Sequence, residues 1–457
     1  MVASMTKMTK KQFRHDFLRG LGSALLELRQ NENPQQYLEI VRYGCLHNTT
    51  YDMQSEGDRG WYLHQAATLV DGAILNDIVE KYSKKFSDDW LFNQLTSILY
   101  YFAADGNEAA YSVLYDKYDF LLDKLSRIVI SKHRPICPDR DMFGWLCVWL
   151  TSLDGWDAFT MIVNDVSDRL FSISTGHEDF FYDMWFYVNS KGKFGKKRVD
   201  AYLQKQAAKS EHIKKFWRKT RESDNSDKGE QTIPTLEDVI AKAGDSGIRG
   251  ISLRFAKNAS ADDLRKLYFA AMQEDDDKTR VGMLWGLRFA TAPVSEGFIS
   301  DLMKNDNRDI RGIAFRLMES NPSPKMREIA ITLIQQESDE ITLALSLLSK
   351  NILPEDEQLF CDTIKAIPAN FSGGKWHDAF ICARNGIEKL RGKPKTDLLL
   401  YVYRNTHCGF CREAIVRLMY KKKILTSAIL QECLHDSNYD IRIFAKRITS
   451  KHRQIEK

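Results

Sequence analysis

The sequence predicts an all-α protein whose C-terminal half is a right-handed α-solenoid of stacked antiparallel helix pairs. The first observation is a motif that recurs along the chain. Its clearest copy is Ile310-Arg311, which is followed by apolar residues at helical spacing and closed by Asn321-Pro322, as in a helix with a defined end. The same register returns at intervals of about 31 to 35 residues, at Ile248, Thr279, Ile341, Trp376, Cys411 and Ile441.

The second observation concerns the residues before each register point. A short polar turn precedes each one, and a further apolar helical segment lies upstream of that turn, for example at 295–304, 324–335 and 426–435. Each repeat is therefore two helices. One such pair cannot bury both of its apolar faces, so pairs with a period in the low thirties stack on one another. Residues 236–457 are predicted to form about seven stacked pairs.

The third observation is composition. Among 457 residues there are only 10 prolines and 25 glycines, which is low for an all-β protein. The eight cysteines follow no disulfide framework and favour a reducing compartment. The nearest approach to a membrane span, Gly144 to Leu153, is shorter than the ~18 residues required, and no signal-peptide cleavage site follows the first helix. We expect a cytoplasmic protein without a membrane span.

Residues 1–190 are predicted to form a helical domain of degenerate repeats. Candidate helices follow one another, among them 12–29, 107–117, 119–131, 139–152 and 154–171. Ten residues from Cys45 parallel ten from Cys433, with five identities (CLHNTTYDMQ against CLHDSNYDIR). This internal similarity suggests that both halves of the chain derive from the same kind of repeat.

A strongly basic segment, 191–221, separates the two halves. It contains 12 Lys and Arg against two acidic residues, whereas the whole chain carries a net charge of only +4. A partial apolar stripe predicts a helix with a basic outer face. That face either keeps the protein soluble or binds phosphates, in nucleic acid or on an anionic surface. The polar residues 222–235 that follow are predicted to be a flexible linker.

The stretch Leu434 to Ile448 (LHDSNYDIRIFAKRI) resembles the signature of HEAT repeats, in which a turn residue precedes an Ile/Val-Arg pair by about six positions. Asp436 stands six before Arg442 and Asn305 six before Arg311, whereas the pattern departs at Thr342 and His377. The resemblance to HEAT-like and armadillo-type proteins implies a superhelix that presents a binding surface. Families of this kind include scaffolds, transport adaptors and some DNA-repair glycosylases, so it implies an architecture rather than one function.

Two rows of basic residues follow from the register. The arginines at the register points, such as Arg249, Arg280 and Arg311, are expected to be structural, with charge-assisted hydrogen bonds along the stacked turns. A second row of basic residues lies five positions further on. Five residues rotate a helix by about 500°, which is about 140° beyond one full turn, so this row points to another face. Together with the basic segment, this row supplies the candidate binding residues: Lys196, Lys197, Arg198, Lys214, Lys215, Arg218, Lys219, Arg254, Arg316, Arg417 and Arg447.

The sequence His407-Cys408-Gly409-Phe410-Cys411 contains the spacing of a zinc knuckle, and Cys433 and His435 follow about 21 residues later. A thioredoxin-like role would need a βαβ context that a helical chain lacks. Cys411 also occupies the register place of the core residues Ile310 and Ile441. We therefore expect packed thiols, with no metal site and no cofactor.

Phosphate-binding glycine loops, nucleophile elbows and HExxH motifs do not occur in the sequence. The first hypothesis is accordingly a scaffold without enzymatic activity that binds a protein or peptide partner on its concave face. The alternative is a HEAT-like protein that binds nucleic acid through the basic segment and the arginine row. That alternative extends to glycosylase-like repair, which would require base-flipping chemistry in one groove.

Overall fold

The computed structural model of the protein describes residues 8–50, 59–127, 138–170, 185–211, 213–214, 217–218, 233–245, 247–287, 296–320, 323–336, 340–367 and 373–455. Within these ranges all regular structure is helical, in 24 α-helices and two short 3-10 helices. The all-α prediction is confirmed. Contacts divide the chain into two compact units. One of them contains both the N-terminal helices and the last two helices, which form a C-terminal hairpin.

The first unit begins with ten helices: α1 (Lys10–Arg19), α2 (Gly22–Gln30), α3 (Leu38–Leu46), α4 (Arg59–Val70), α5 (Ile74–Ser83), α6 (Asp89–Ala104), α7 (Glu108–Arg127), α8 (Pro138–Leu170), α9 (Trp185–Phe194) and α10 (Lys196–Ala207). They pack in two rows. Helices α2, α4, α6 and α8 contact one another in series, as do α1, α3, α5 and α7. Their core is rich in buried aromatic rings, including Phe13, Phe17, Tyr62 and Phe92.

Two glycines decide where helices break in this unit. The predicted helix 12–29 is two helices, because Gly20 adopts a left-handed φ of 75° and its N–H donates to the carbonyl of Phe17. The predicted helices 139–152 and 154–171 are two helical segments in the structure as well: Gly155, with a non-helical φ of 67° and ψ of −131°, divides α8 close to the predicted boundary. The predicted helices 107–117 and 119–131 are instead one uninterrupted helix, α7, over their described part.

Part of α8 is also apolar enough to be considered as a membrane span. Within the described residues, Pro138–Arg169 is the one helix that meets the length and composition criteria, with a mean hydropathy of 1.2. About 44% of that apolar window is buried inside the protein. The helix packs on α6 and α7, and the core helix of a soluble protein meets the same criteria, so this is weak evidence for a span.

Among the described residues, the second unit contains eleven helices and, from Cys411 on, a twelfth: α11 (Leu236–Ala241), α12 (Ile248–Asn258), α13 (Ala261–Gln273), α14 (Asp277–Leu287), α15 (Glu296–Met303), α16 (Arg308–Ser320), α17 (Pro324–Gln335), α18 (Ile341–Asn351), α19 (Glu357–Ala366), α20 (Gly373–Lys389), α21 (Leu398–Asn405) and α22 (Gly409–Lys421). Five pairs pack as consecutive helices, from α11 with α12 to α19 with α20. The second helices also pack in series, α12 on α14, then on α16, α18 and α20. These contacts link the second helix of each pair to that of the next, from α12 to α20.

Side-chain caps set the starts of several first helices. Thr235 forms a capping box with Asp238, and the hydroxyls of Ser260 and Ser323 accept hydrogen bonds from the backbone N–H groups of Asp263 and Met326. The register points all fall at the beginning of second helices, from Ile248 in α12 to Cys411 in α22. The recurring sequence motif is therefore the entry to the second helix of each pair.

The last two helices, α23 (Ser427–Cys433) and α24 (Tyr439–Ile455), belong to the first unit. Helix α23 packs on α2 near the N-terminus, and the N–H of Ser437 donates to the carbonyl of Gly20 at 2.9 Å. The sequence placed this pair at the end of the 236–457 repeats. In the folded chain it packs with the helices at the opposite end of the sequence.

Candidate functional site

A groove crosses the second helices of the second unit. Its cavity volume is about 660 Å³, within the range of ligand pockets. The lining side chains come from five successive second helices, α12, α14, α16, α18 and α20. They are Arg249, Val281, Trp285, Arg308, Asp309, Arg311, Ile313, Arg316, Glu340, Thr342, Leu343 and Asp378, with Gly312. Series packing of the second helices therefore produces a surface that no single helix pair contains.

At one end of the groove an arginine stacks on an aromatic ring. The guanidinium of exposed Arg249 lies 4.3 Å from the centre of the half-buried Trp285 ring, a cation–π contact. Close packing of α12 on α14 sets this geometry, since buried Ser252 donates to the carbonyl of Gly282 at 3.0 Å. A second cavity of about 570 Å³ adjoins the first and shares Arg249 and Trp285 with it.

Four register arginines, Arg280, Arg311, Arg412 and Arg442, bind backbone carbonyls six residues earlier, whereas Arg249 is exposed and stacks on Trp285 instead. Arg311 donates to the carbonyls of Asn305 and Asp306, each at 2.8 Å, and also to the carboxylate of Glu340 at 3.2 Å. Arg280 donates to the carbonyl of Glu274 in the same way. These contacts satisfy turn carbonyls that would otherwise lack a partner, in agreement with a structural role.

The same relationship recurs at Arg412, which is completely buried and donates to the Thr406 carbonyl at 3.3 Å. In the first unit Arg442 donates to the carbonyl of Asp436 at 2.7 Å. The partners six residues earlier are backbone carbonyls, and Arg280 also pairs with the carboxylate of Asp277 at 3.3 Å. Sequence spacing alone indicated the pairing distance but not which oxygen accepts.

The second row of arginines is exposed but does not form one surface. Arg316 lines the groove and pairs with Glu319 at 3.0 Å. Arg417 pairs with Glu413 at 2.7 Å, and neither it nor Arg254 lines the groove. Arg447 lies on α24, in the first unit.

Part of the basic segment lies on α10 in the first unit. Lys196, Lys197 and Arg198 are exposed on its first turn, and the Arg198 guanidinium lies 4.1 Å from the centre of the Trp156 ring. Of the remaining candidates, Lys214 is exposed and pairs with Glu211 at 3.0 Å, and Arg218 is also exposed. Lys215 and Lys219 lie outside the described residues.

Charge in the groove is mixed. Four arginines and three carboxylates line it, which leaves a small positive excess. Because Arg311 is bound to Glu340 and Arg316 to Glu319, Arg249 and Arg308 are the arginines best placed to meet a ligand. Apolar side chains, Val281, Ile313 and Leu343, lie between them. This surface suits a ligand that carries both a carboxylate and an apolar group.

One contact within the second unit joins a histidine to a cysteine 34 positions further along the chain. The Nε2 atom of His377 lies 3.0 Å from the Sγ atom of Cys411. Sequence spacing had grouped Cys411 with Cys408, Cys433 and His435 as candidate ligands and did not include His377. The signal for His377 was its departure from arginine at a register point.

No protein-family model matches this chain, and no curated protein is recognisably similar to it in sequence. The class of this protein therefore rests on its fold and its groove. It is an all-α protein in which a recurring helix-entry motif places basic and aromatic side chains along successive second helices.

Proposed function

We propose that the second unit is an α-solenoid of the HEAT type whose groove holds a peptide segment of a protein partner, and that it acts as a scaffold rather than as an enzyme. The observation that carries this proposal is the lining of the groove by five successive second helices. In a solenoid the second helices form the concave face, where extended partners are bound.

The packing of the helices supports the solenoid part of the proposal. Each second helix from α12 to α20 contacts its own first helix, and each one from α12 to α18 also contacts the second helix of the next pair. This nearest-neighbour pattern is typical of repeat proteins, whose pairs cannot be buried alone. The two rows of the first unit, α2–α4–α6–α8 and α1–α3–α5–α7, follow the same pattern.

The dimensions of the groove support a peptide. Packed helices are about 8–10 Å apart, so five in series extend over roughly 30–40 Å. An extended chain covers about 3.3 Å per residue, so the groove matches a segment of roughly ten residues. Its stacked Arg249 and Trp285 provide the aromatic and arginine anchors that dominate peptide and protein interfaces.

A peptide-display selection against the full-length chain tests the proposal. Selected peptides are expected to carry an acidic residue near an apolar one and to bind the wild type. The double variant Arg249→Glu, Trp285→Ala should weaken binding by about 30-fold or more, since an interface anchor contributes about 2 kcal/mol or more.

Arg265→Glu is the matched control, because Arg265 is exposed on the first helix α13 and is not a lining residue of the groove. It makes the same change of charge and should leave the affinity unchanged. Selected peptides that bind the groove variant as tightly as the wild type would place the binding surface elsewhere.

A second candidate function is nucleic-acid binding by the basic segment, favoured by the exposure of Lys196, Lys197 and Arg198 within one turn. Binding of fluorescent DNA and RNA at about 50 and 200 mM salt tests it. Contacts to six or more phosphates should weaken about a thousandfold over that range. The variant K196E/K197E/R198E should then lose binding, whereas the groove variant should keep it.

A further inference from the structure

We propose that the partner segment lies with its backbone directly on the second helices at Gly250 and Gly312, and that it carries a basic residue and an acidic residue five or six positions apart. This inference rests on the proposed function, because it describes the occupant of the same groove. It also includes the adjoining cavity of about 570 Å³, which shares Arg249 and Trp285 with the groove.

One row of the repeat forms the floor of the two cavities. In each second helix from α12 to α20, the residue two positions after the register point lines at least one of them. These residues are Gly250, Val281, Gly312, Leu343 and Asp378. Because the row crosses five packed helices, a segment that follows it runs across the helices and not along any one of them.

Two members of this row are glycines that the packing of the protein does not require. In the described part of the chain, a methyl group placed at Gly250 or at Gly312 would meet no neighbouring atom within 4 Å. Gly282 differs, because a methyl group there would lie 2.0 Å from the carbonyl oxygen of Ala243. Glycine within a helix is less stable than alanine, so Gly250 and Gly312 keep space open at a cost in helix stability. A ligand backbone that approaches the helices closely would use that space.

The two cavities carry opposite charges. The groove has a small positive excess, and exposed Arg308 lines it. The adjoining cavity is lined by four aspartates against two cations, which leaves two negative charges in excess. Two of these aspartates, Asp245 and Asp309, are exposed and form no ion pair within the described residues. Charge complementarity therefore assigns the basic residue of the partner to the adjoining cavity and the acidic residue to the groove.

The positions of the two cavities set the spacing of these charges. Asp245 lies just before α12 and Arg308 begins α16, and α14 is the one second helix between them. Packed helices are about 8–10 Å apart, so two steps extend over roughly 16–20 Å. An extended chain covers that distance with about five or six residues. The residues between the two charges then pass over Trp285, where an apolar side chain fits.

Displayed peptides of twelve residues, selected against the full-length chain, are the probes for the test. Enriched peptides should place a Lys or Arg about five or six residues from an Asp or Glu. Gly250→Leu and Gly312→Leu should each weaken their binding by about tenfold or more, because leucine fills the space that the peptide backbone needs. Gly144→Leu is the matched control, since Gly144 is an equally open glycine on α8, outside the groove. It should leave the affinity unchanged.

Charge reversal tests the orientation without any change at a glycine. Asp245→Lys should weaken binding by about tenfold, and a peptide whose basic residue is replaced by Glu should recover the affinity. Arg308→Glu should likewise be rescued by a peptide whose acidic residue is replaced by Lys. Peptides that need Arg249 and Trp285 but tolerate both glycine variants and both charge reversals would overturn this inference and leave the proposed function in place. A selection that yields no peptide dependent on Arg249 and Trp285 would overturn both.

Discussion

The guanidinium of Arg442 lies 3.8 Å from the centre of the Trp61 indole ring, so a side chain from the last helix stacks on α4 near the start of the chain. The same guanidinium donates to the carbonyls of Asp436 and Ser437. The N–H of Ser437 in turn donates to the carbonyl of Gly20. One arginine therefore closes its own turn and attaches the C-terminal hairpin to the N-terminal helices.

Arg442→Ala should lower the free energy of unfolding of the first unit by roughly 2–3 kcal/mol. The change removes a cation–π contact and two hydrogen bonds to buried backbone carbonyls. Urea denaturation measures the loss, and hydrogen exchange locates it in the hairpin and α4. Arg447→Ala, an exposed position on the same helix, should change stability by less than about 0.5 kcal/mol. Equal effects of the two variants would show that the Trp61 contact contributes nothing.

Gly22→Ala should separate the hairpin from α2. A methyl group at Gly22 would lie 1.8 Å from the backbone carbonyl oxygen of Glu432, so the two helices would have to move apart. Faster proteolysis of 426–457 and a lower melting temperature are expected. Gly144→Ala is the control, because nothing lies within 4 Å of a methyl group there and alanine favours a helix. Similar melting temperatures for the two variants would argue against this close approach.

Arg311→Ala should destabilise the second unit by about 1–3 kcal/mol, since its bonds to the carbonyls of Asn305 and Asp306 and to Glu340 are lost. Arg316→Ala, on the same helix, removes an exposed pair with Glu319 and should cost less than about 0.5 kcal/mol. Denaturant titration of both variants checks the expectation. A larger loss for Arg316 would mean that the register arginines are not the structural row.

Stability of the first unit should fall as the pH drops below about 6.5. Burial, with a smaller effect from the charge of Arg29, lowers the pKa of His435 in the folded chain. The unfolded chain then binds a proton more readily, so the stabilisation is present above the ordinary histidine pKa and is lost as the pH falls through the folded value. The free energy of unfolding, measured between pH 5 and 8, gives the slope of stability against pH. His435→Gln should flatten it, and parallel curves for the two proteins would contradict the assignment.

Thiol reactivity should follow burial. Burial raises the pKa of Cys45 and of Cys382 to about 12 each, so both are protonated at pH 8 and should react slowly with iodoacetamide. Among the cysteines that the structure describes, Cys411 is half-buried and the others are buried, so Cys411 should react first in chelator-treated protein. Peptide mapping over time establishes the order. Rapid labelling of Cys382 in folded protein would show that this part of the core opens readily.

Much of the fold is readable from the sequence because helix formation is dominated by local signals. The apolar spacing after Ile310 and the caps at Thr235 and Ser323 act within a few residues, and the helices lie where these signals predict them. The break at Gly20 was missed, since an isolated glycine in a helical pattern is compatible with both a break and a continuous helix.

The candidate sites were only partly readable. The exposed arginines Arg316 and Arg417 were found from periodicity, but a groove depends on which helices pack side by side, and Trp285 gave no sign of lying under Arg249. His377 appeared only as a departure from the repeat. Its proximity to Cys411 depends on the displacement between neighbouring pairs, which spacing along the chain does not specify.

The sequence by itself determined that the chain is helical, where the second helix of each pair begins, and which arginines recur at those points, because these properties depend on interactions within about one helical turn. The tertiary structure decided that the last hairpin packs on α2, that the groove gathers side chains from five helices, and that His377 meets Cys411. These are contacts between residues far apart in the chain. They form where buried apolar area and backbone hydrogen bonds offset the entropy of ordering the chain, and that balance involves the whole fold.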